Sequence, residues 1–207
     1  WSFAVLAFPH QPLLKAIAFA AISQMCDFEP QHCANTAWAF ACLTVPDHPL
    51  LKALAAQSMA TIEQFDPQML ANTAWAFAKI SYLNPPLLAA IASTARTRIG
   101  DFRPQECSNL AWAFATLAVC DVPLFAALSA LALRNIADFD PQNMTNTAWA
   151  FATLLWFDAP LLEAIALVSI RRLAGPRDFP PQELANLAWS FAKLGFFDAT
   201  LWDAISA

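Results

Sequence analysis

The feature that most restricts this chain is repetition. Close copies of one phrase return along it: EPQHCANTAWAFACL, DPQMLANTAWAFAKI, RPQECSNLAWAFATL, DPQNMTNTAWAFATL and PPQELANLAWSFAKL, with a truncated WSFAVL at the start. Trp1, Trp38, Trp75, Trp112 and Trp149 lie 37 residues apart, and the step to Trp189 is 40 because Gly175, Pro176 and Arg177 are inserted. A fixed period of this size builds a solenoid, in which each unit buries its apolar faces against its neighbours. The expectation is an all-α fold, an α-solenoid of stacked helical hairpins with a 37-residue repeat. It forms a single helical-repeat domain over 1–207, with repeats at about 1–28 (partial), 29–65, 66–102, 103–139, 140–179 and 180–207 (partial). Starting and stopping inside a unit, it reads as a fragment of a longer chain.

Residues 66–102 show why one repeat makes a hairpin. Asp66 is a good N-cap, Pro67 sits at the first helical position where its missing amide costs nothing, and Phe65 can staple onto Leu70. Where the cap is poor, at Arg103 and Pro180, Glu106 and Glu183 stand at the third helical position and can meet the first turn's amides. His10 replaces the Asp or Asn of the other second-helix caps, which predicts a weaker start there. The first helix is expected to reach Tyr82, and a second, carrying Leu87, Ile91 and Ile99 on one stripe, to end near Gly100.

At 100° per residue the first helix divides into faces. Leu70, Thr73, Phe77 and Ile80 share the side that meets the second helix. Trp75 and Tyr82 lie together roughly opposite, with Ala71 and Ala78 beside them, suited to an adjacent repeat. Between these faces runs a polar stripe, Gln68, Asn72 and Lys79. It recurs as Gln31, Asn35 and Cys42; Gln105, Asn109 and Thr116; Gln142, Asn146 and Thr153; and Gln182, Asn186 and Lys193. Stacking aligns these as parallel rows along one surface.

The asparagine row admits two readings, a ligand-contacting file or a buried ladder tying repeats together. A residue identical in every copy cannot discriminate between ligands, so discrimination needs positions that vary. Two sets do: Cys42, Lys79, Thr116, Thr153 and Lys193, and His32, Met69, Glu106, Asn143 and Glu183. The tryptophans and phenylalanines could stack bases, but their constant offset makes them packing elements first. Arg96, Arg98, Arg134, Arg171, Arg172 and Arg177 cluster near the ends of second helices, either as a phosphate-contacting ridge or as complements of the helix dipole.

The net charge of −5 argues against a polyanionic partner at face value. Eleven of the sixteen carboxylates, however, fall at three recurring places: Asp47, Asp121, Asp158 and Asp198; Asp27, Asp101, Asp138 and Asp178; and Glu29, Asp66 and Asp140. All sit at or just before helix starts, so the acidity is mostly architectural. No apolar run approaches the roughly 18 residues needed to cross a bilayer, which predicts a soluble chain without membrane contact. Five cysteines without a Cys-x-x-Cys pair point to free thiols in a reducing compartment. Gly100, Gly175 and Gly195 make no phosphate-cradling loop, and no histidine and cysteine spacing suits a metal. Neither enzyme, metal nor cofactor is expected.

The pattern Phe-x-Pro-Gln-x-x-x-Asn-x-x-Trp-Ala-Phe-Ala-x-Leu, as in 65–80 and 102–117, resembles the octotricopeptide repeat and the related leucine-rich helical repeats of FAST-kinase-like and RAP-containing organellar proteins. It is similar also to the helical-repeat domain of the mitochondrial RNA-editing substrate-binding complex. The resemblance implies binding of single-stranded RNA in the mitochondrial matrix, or alternatively the chloroplast, within a ribonucleoprotein complex that processes, stabilises or edits transcripts. The residues expected to do so are the Gln, Asn, Lys and Thr members of the polar rows. A scaffold holding a peptide or partner subunit in the same groove is the competing expectation.

Overall fold

A computed structural model of the chain describes residues 10–174 and 179–206, which divide into two compact units on either side of the Arg98–Ile99 junction. Trp1, Arg177 and Asp178 lie outside the described residues. The first unit contains α1 (Gln11–Ser23), α2 (Pro30–Cys42), α3 (His48–Ala60), α4 (Pro67–Lys79) and α5 (Pro85–Thr97). The second contains α6 (Pro104–Thr116), α7 (Val122–Asn135), α8 (Pro141–Thr153), α9 (Ala159–Leu173), α10 (Pro181–Leu194) and α11 (Ala199–Ser206). No strand occurs among the described residues.

Each unit is an α-solenoid in which even-numbered helices are the first and odd-numbered the second helices of successive hairpins. In the first unit α2 packs on α4 while α1, α3 and α5 follow one another; in the second, α6, α8 and α10 form one layer and α7, α9 and α11 the other. The closest packing is between first helices, and alanine permits it. Ala34, Ala37 and Ala41 on α2 and Ala71, Ala74 and Ala78 on α4 are buried at i, i+3, i+7 spacing. Without bulk beyond Cβ the backbones approach closely. The hairpin core is formed by larger groups such as Leu70, Phe77, Leu87, Leu88 and Ile91, all essentially inaccessible, each contributing about 1.5–3 kcal/mol by burial.

The helix starts follow the capping logic. Asp66 accepts from Met69 N at 2.7 Å and Asp140 from Asn143 N at 2.7 Å. Before the second helices, Asp47, Asn84, Asp121, Asp158 and Asp198 each accept from the amide three residues on, at 2.9–3.1 Å. His10 does the same through Nδ1 to Leu13 N at 3.2 Å, so the start expected to be weak is capped by an imidazole. Glu106 accepts from Arg103 N at 2.9 Å. Pro180 has no N–H to offer Glu183, and that helix start carries no side-chain cap.

The helix ends differ from expectation. α4 stops at Lys79, short of Tyr82, because Ser81 adopts a left-handed φ of 58°. Ser81 N donates to Ala78 O and Tyr82 N to Phe77 O, the paired bonds of a Schellman motif. The same left-handed site recurs at Thr44 (52°), Ala118 (55°), Leu155 (55°) and Gly195 (67°). Tyr82 lies in the turn after α4, with its ring 5.7 Å from that of Phe77 and 5.4 Å from that of His48. α5 likewise ends at Thr97, ahead of a short 3-10 turn at Ile99–Asp101.

Each hairpin of three is closed by a long side chain reaching back to the carbonyl just before its first helix. Gln57 Nε2 donates to Phe28 O at 2.9 Å, Arg98 to Phe65 O, and Arg172 to Phe139 O at 2.7 Å. Arg98 and Arg172 thus direct guanidinium N–H groups to carbonyls inside their own repeats. Between repeats, Trp112 and Trp149 stack with centroids 6.3 Å apart.

Candidate functional site

The polar stripe occupies the accessible side of the first helices. Gln31, Gln68, Gln105, Gln142 and Gln182, at the second position of α2, α4, α6, α8 and α10, are exposed; Asn35 is exposed, and Asn72, Asn109, Asn146 and Asn186 are half-buried. Among the described residues none of these ten amide side chains has a hydrogen-bond partner. A buried ladder would pair them. Their donors and acceptors are therefore open to water or to a ligand.

The varying end of the stripe lies elsewhere. Lys79 closes α4 and is eleven residues beyond Gln68, about 16 Å along the axis. Lys79 and Lys193 are exposed, and Cys42 is near enough to Lys79 for the ammonium to oppose the upward push of burial on its thiol. Thr116 and Thr153 are half-buried, with Oγ1 shut off from solvent and lacking a partner. Within each unit the amides thus stand near the start of the first helices and an exposed lysine, Lys79 in the first unit and Lys193 in the second, stands near the end of one of them.

The second varying set is not an exposed row. His32 Nδ1 accepts from Glu29 N at 3.2 Å, and Glu106 is bound to Arg103 N, so both complete helix caps. Asn143 is 9% exposed, and its Oδ1 accepts from Ser108 Oγ of α6 at 2.9 Å. Burial, and secondarily the carboxylate of Asp140, raises the pKa of Glu183 above its ordinary value. At α8 the third helical position faces the preceding first helix, α6, which packs closely against it; composition alone does not reveal this.

Two clefts open at the amide end. One, of about 310 Å³, is lined from the α6 side by Arg103, Gln105 and Asn109 and from the α8 side by Asp138, Asp140, Gln142 and Asn143. The other, of about 420 Å³, is lined by Gln24, Asp27 and Phe28 together with His32, Asn35 and Thr36 of α2. Such volumes stand at the lower end of ligand pockets. Arg103, Asp138 and Asp140, which the repeat pattern places only at or near helix starts, line the first of these clefts. Their juxtaposition across two helices appears only in three dimensions.

Among the described residues no group of three or more His, Cys, Asp or Glu side chains could hold a metal ion, and no helix is long and apolar enough to cross a membrane. The five cysteines are free; burial pushes the thiol of Cys33 up to about 11 and that of Cys107 up to about 12.

Comparison with protein families gives two matches. The family model described as RNA-editing substrate-binding complex 6 protein matches residues 1–122, and one described as a protein of unknown function (DUF1601) matches residues 124–147. No curated protein matches the chain. The longer match falls on the RNA-editing member of the families that the repeat motif resembles.

Proposed function

Because the chain belongs to the RNA-editing substrate-binding complex 6 family, we propose that it is a non-enzymatic RNA-binding subunit of a mitochondrial ribonucleoprotein complex acting in transcript editing. The observation that carries this reading is the set of ten accessible, unpaired amides on successive first helices. Amides offer donors and acceptors at once, which suits the splayed edges of single-stranded bases. Gln31, Asn35, Gln68, Asn72, Gln105, Asn109, Gln142, Asn146, Gln182 and Asn186 supply uniform contacts. Lys79 and Lys193 supply the phosphate contacts, and Thr116 and Thr153 hold the corresponding positions of their own repeats. One nucleotide per repeat gives a footprint of five or six nucleotides.

Fluorescence anisotropy with labelled single-stranded RNA over a range of salt tests this. Two lysines each neutralising one phosphate give a log–log salt slope of about −1.4. Replacing both by Glu weakens binding and flattens the slope while the circular dichroism spectrum stays helical. Absence of binding at low salt refutes the proposal.

A second reading, a protein-docking scaffold, draws on a different surface. Leu155, Phe157 and Phe197 in the turns after first helices of the second unit are 66%, 56% and 76% exposed. Aromatic groups left in water favour a protein partner. Alanine substitution of Phe157 and Phe197 that leaves RNA affinity unchanged but releases partner proteins separates the two surfaces.

A further inference from the structure

Two aromatic residues are constant in the five described first helices, and the fold treats them in opposite ways. Phe40, Phe77, Phe114, Phe151 and Phe191 are sealed in the hairpin cores, none more than 3% exposed. The tryptophans two positions earlier are not: Trp38, Trp75, Trp112 and Trp149 are half-buried, and Trp189 is 46% exposed. Packing therefore covers part of each indole and leaves the rest in water. A large aromatic group left accessible at the same place in successive repeats marks a binding surface.

The indoles stand among the amides. On α10, Gln182, Asn186, Trp189 and Lys193 are spaced i, i+4, i+7 and i+11, which at 100° per residue keeps all four within an arc of about 60° along about 16 Å of helix. Gln68, Asn72, Trp75 and Lys79 repeat the set on α4. The other three described first helices end the same stripe in Cys42, Thr116 or Thr153, and no carboxylate occupies it on any of the five. In the second unit the rings of Trp112 and Trp149, on neighbouring first helices, are inclined by only 29° with centroids 6.3 Å apart. Successive repeats there present flat faces in nearly the same orientation.

We infer that the tryptophan row is a base-stacking track, with one splayed base of a single strand laid against each indole. This rests on the RNA-binding reading above and names the group that holds the base. The stripe matches a nucleotide part by part: the indole takes the flat face of the base, the asparagine three residues before it takes a hydrogen-bonding edge, and on α4 and α10 the lysine takes a phosphate. An apolar protein surface covering the same stripe would leave the flanking amides without partners. Every base has a π-face, so a tryptophan that never varies suits a track that tolerates any sequence. Duplex RNA does not fit it, because its bases are already stacked on one another.

The test titrates the chain with end-labelled oligouridine and with a ribose-phosphate chain of the same length that lacks bases, following anisotropy and tryptophan emission together. Oligouridine is expected to quench the emission, and the abasic chain to bind about tenfold more weakly or worse without quenching. Trp189→Leu is expected to weaken oligouridine binding about tenfold with the helical spectrum unchanged, and Trp189→Phe, which keeps a flat ring, to restore most of the loss. Trp156 lies off the stripe, in the turn after α8, with its ring 6.1 Å from that of Phe125; Trp156→Phe is expected to leave both affinity and quenching unchanged. Equal affinity for the abasic chain, or an affinity untouched by both Trp189→Leu and Trp149→Leu, overturns the stacking track and leaves RNA binding standing. No binding of either oligomer at low salt overturns both readings and leaves the stripe to a protein partner.

Discussion

Four of the five first helices described end on a residue that L-stereochemistry disfavours. Thr44, Ser81, Ala118 and Leu155 hold φ between 52° and 58° at the site where the fifth helix has Gly195. A left-handed conformation costs a residue with Cβ roughly 1–2 kcal/mol, and glycine returns about 0.4–1 kcal/mol of that through the greater freedom of the unfolded chain. All four side chains are exposed, so trimming them removes no packing. The net gain is about 0.5–1 kcal/mol per site. Because the sites belong to separate repeats and the terms add, the quadruple glycine variant gains about 2–4 kcal/mol. Urea unfolding followed by far-ultraviolet dichroism reads it: with a slope of about 2–3 kcal/mol/M the midpoint rises by about 1 M. Gly195→Ala is the reverse control and lowers the midpoint. A quadruple variant whose midpoint does not move, with the slope unchanged, would show that the left-handed turns store no strain, and the reasoning fails.

Other perturbations have equally direct outcomes. Ser108→Ala leaves buried Asn143 Oδ1 without its donor and is expected to cost about 1–3 kcal/mol in the same urea assay. Arg172→Ala removes the donor to Phe139 O and costs about 1–2 kcal/mol; Arg172→Lys, lacking the planar fork, recovers only part. Glu183 titrates above its ordinary 4.5 in the folded chain, so the native state holds its proton more tightly and stability from this group falls as pH rises through that window. Glu183→Gln flattens this portion of a stability–pH profile, and an unchanged profile refutes the assignment. Exposed Cys26 and Cys120 react with a thiol reagent in the native state, whereas Cys33 and Cys107 wait for unfolding; mass spectrometry of partly labelled chain shows the order.

The hairpin architecture was legible because the phrase around Asp66, Pro67 and Trp75 states a cap, a start and a packing face in fixed order. The stop was not, because a left-handed turn is normally announced by glycine and only Gly195 announces it. Aligning that glycine with Ser81 was the available signal. The bonds from Arg98 and Arg172 were hidden for a different reason: a carbonyl acceptor 33 residues away leaves no mark on side-chain composition. Asn143 was visible as a varying position, but its burial depends on how closely α6 and α8 approach, which Ala111, Ala115, Ala148 and Ala152 set jointly. The amide rows are periodic in the sequence; that they lack partners is a property of packing that no single helix displays.

The back-reaching contacts of Gln57, Arg98 and Arg172 have a consequence for how such arrays change length. A segment whose exit grips its own threshold carries its closure with it, so a whole 37-residue module can be removed or duplicated without orphaning a carbonyl in its neighbour. Cutting the array out of phase severs that grip. Gain or loss of repeats is then easiest in whole 37-residue steps.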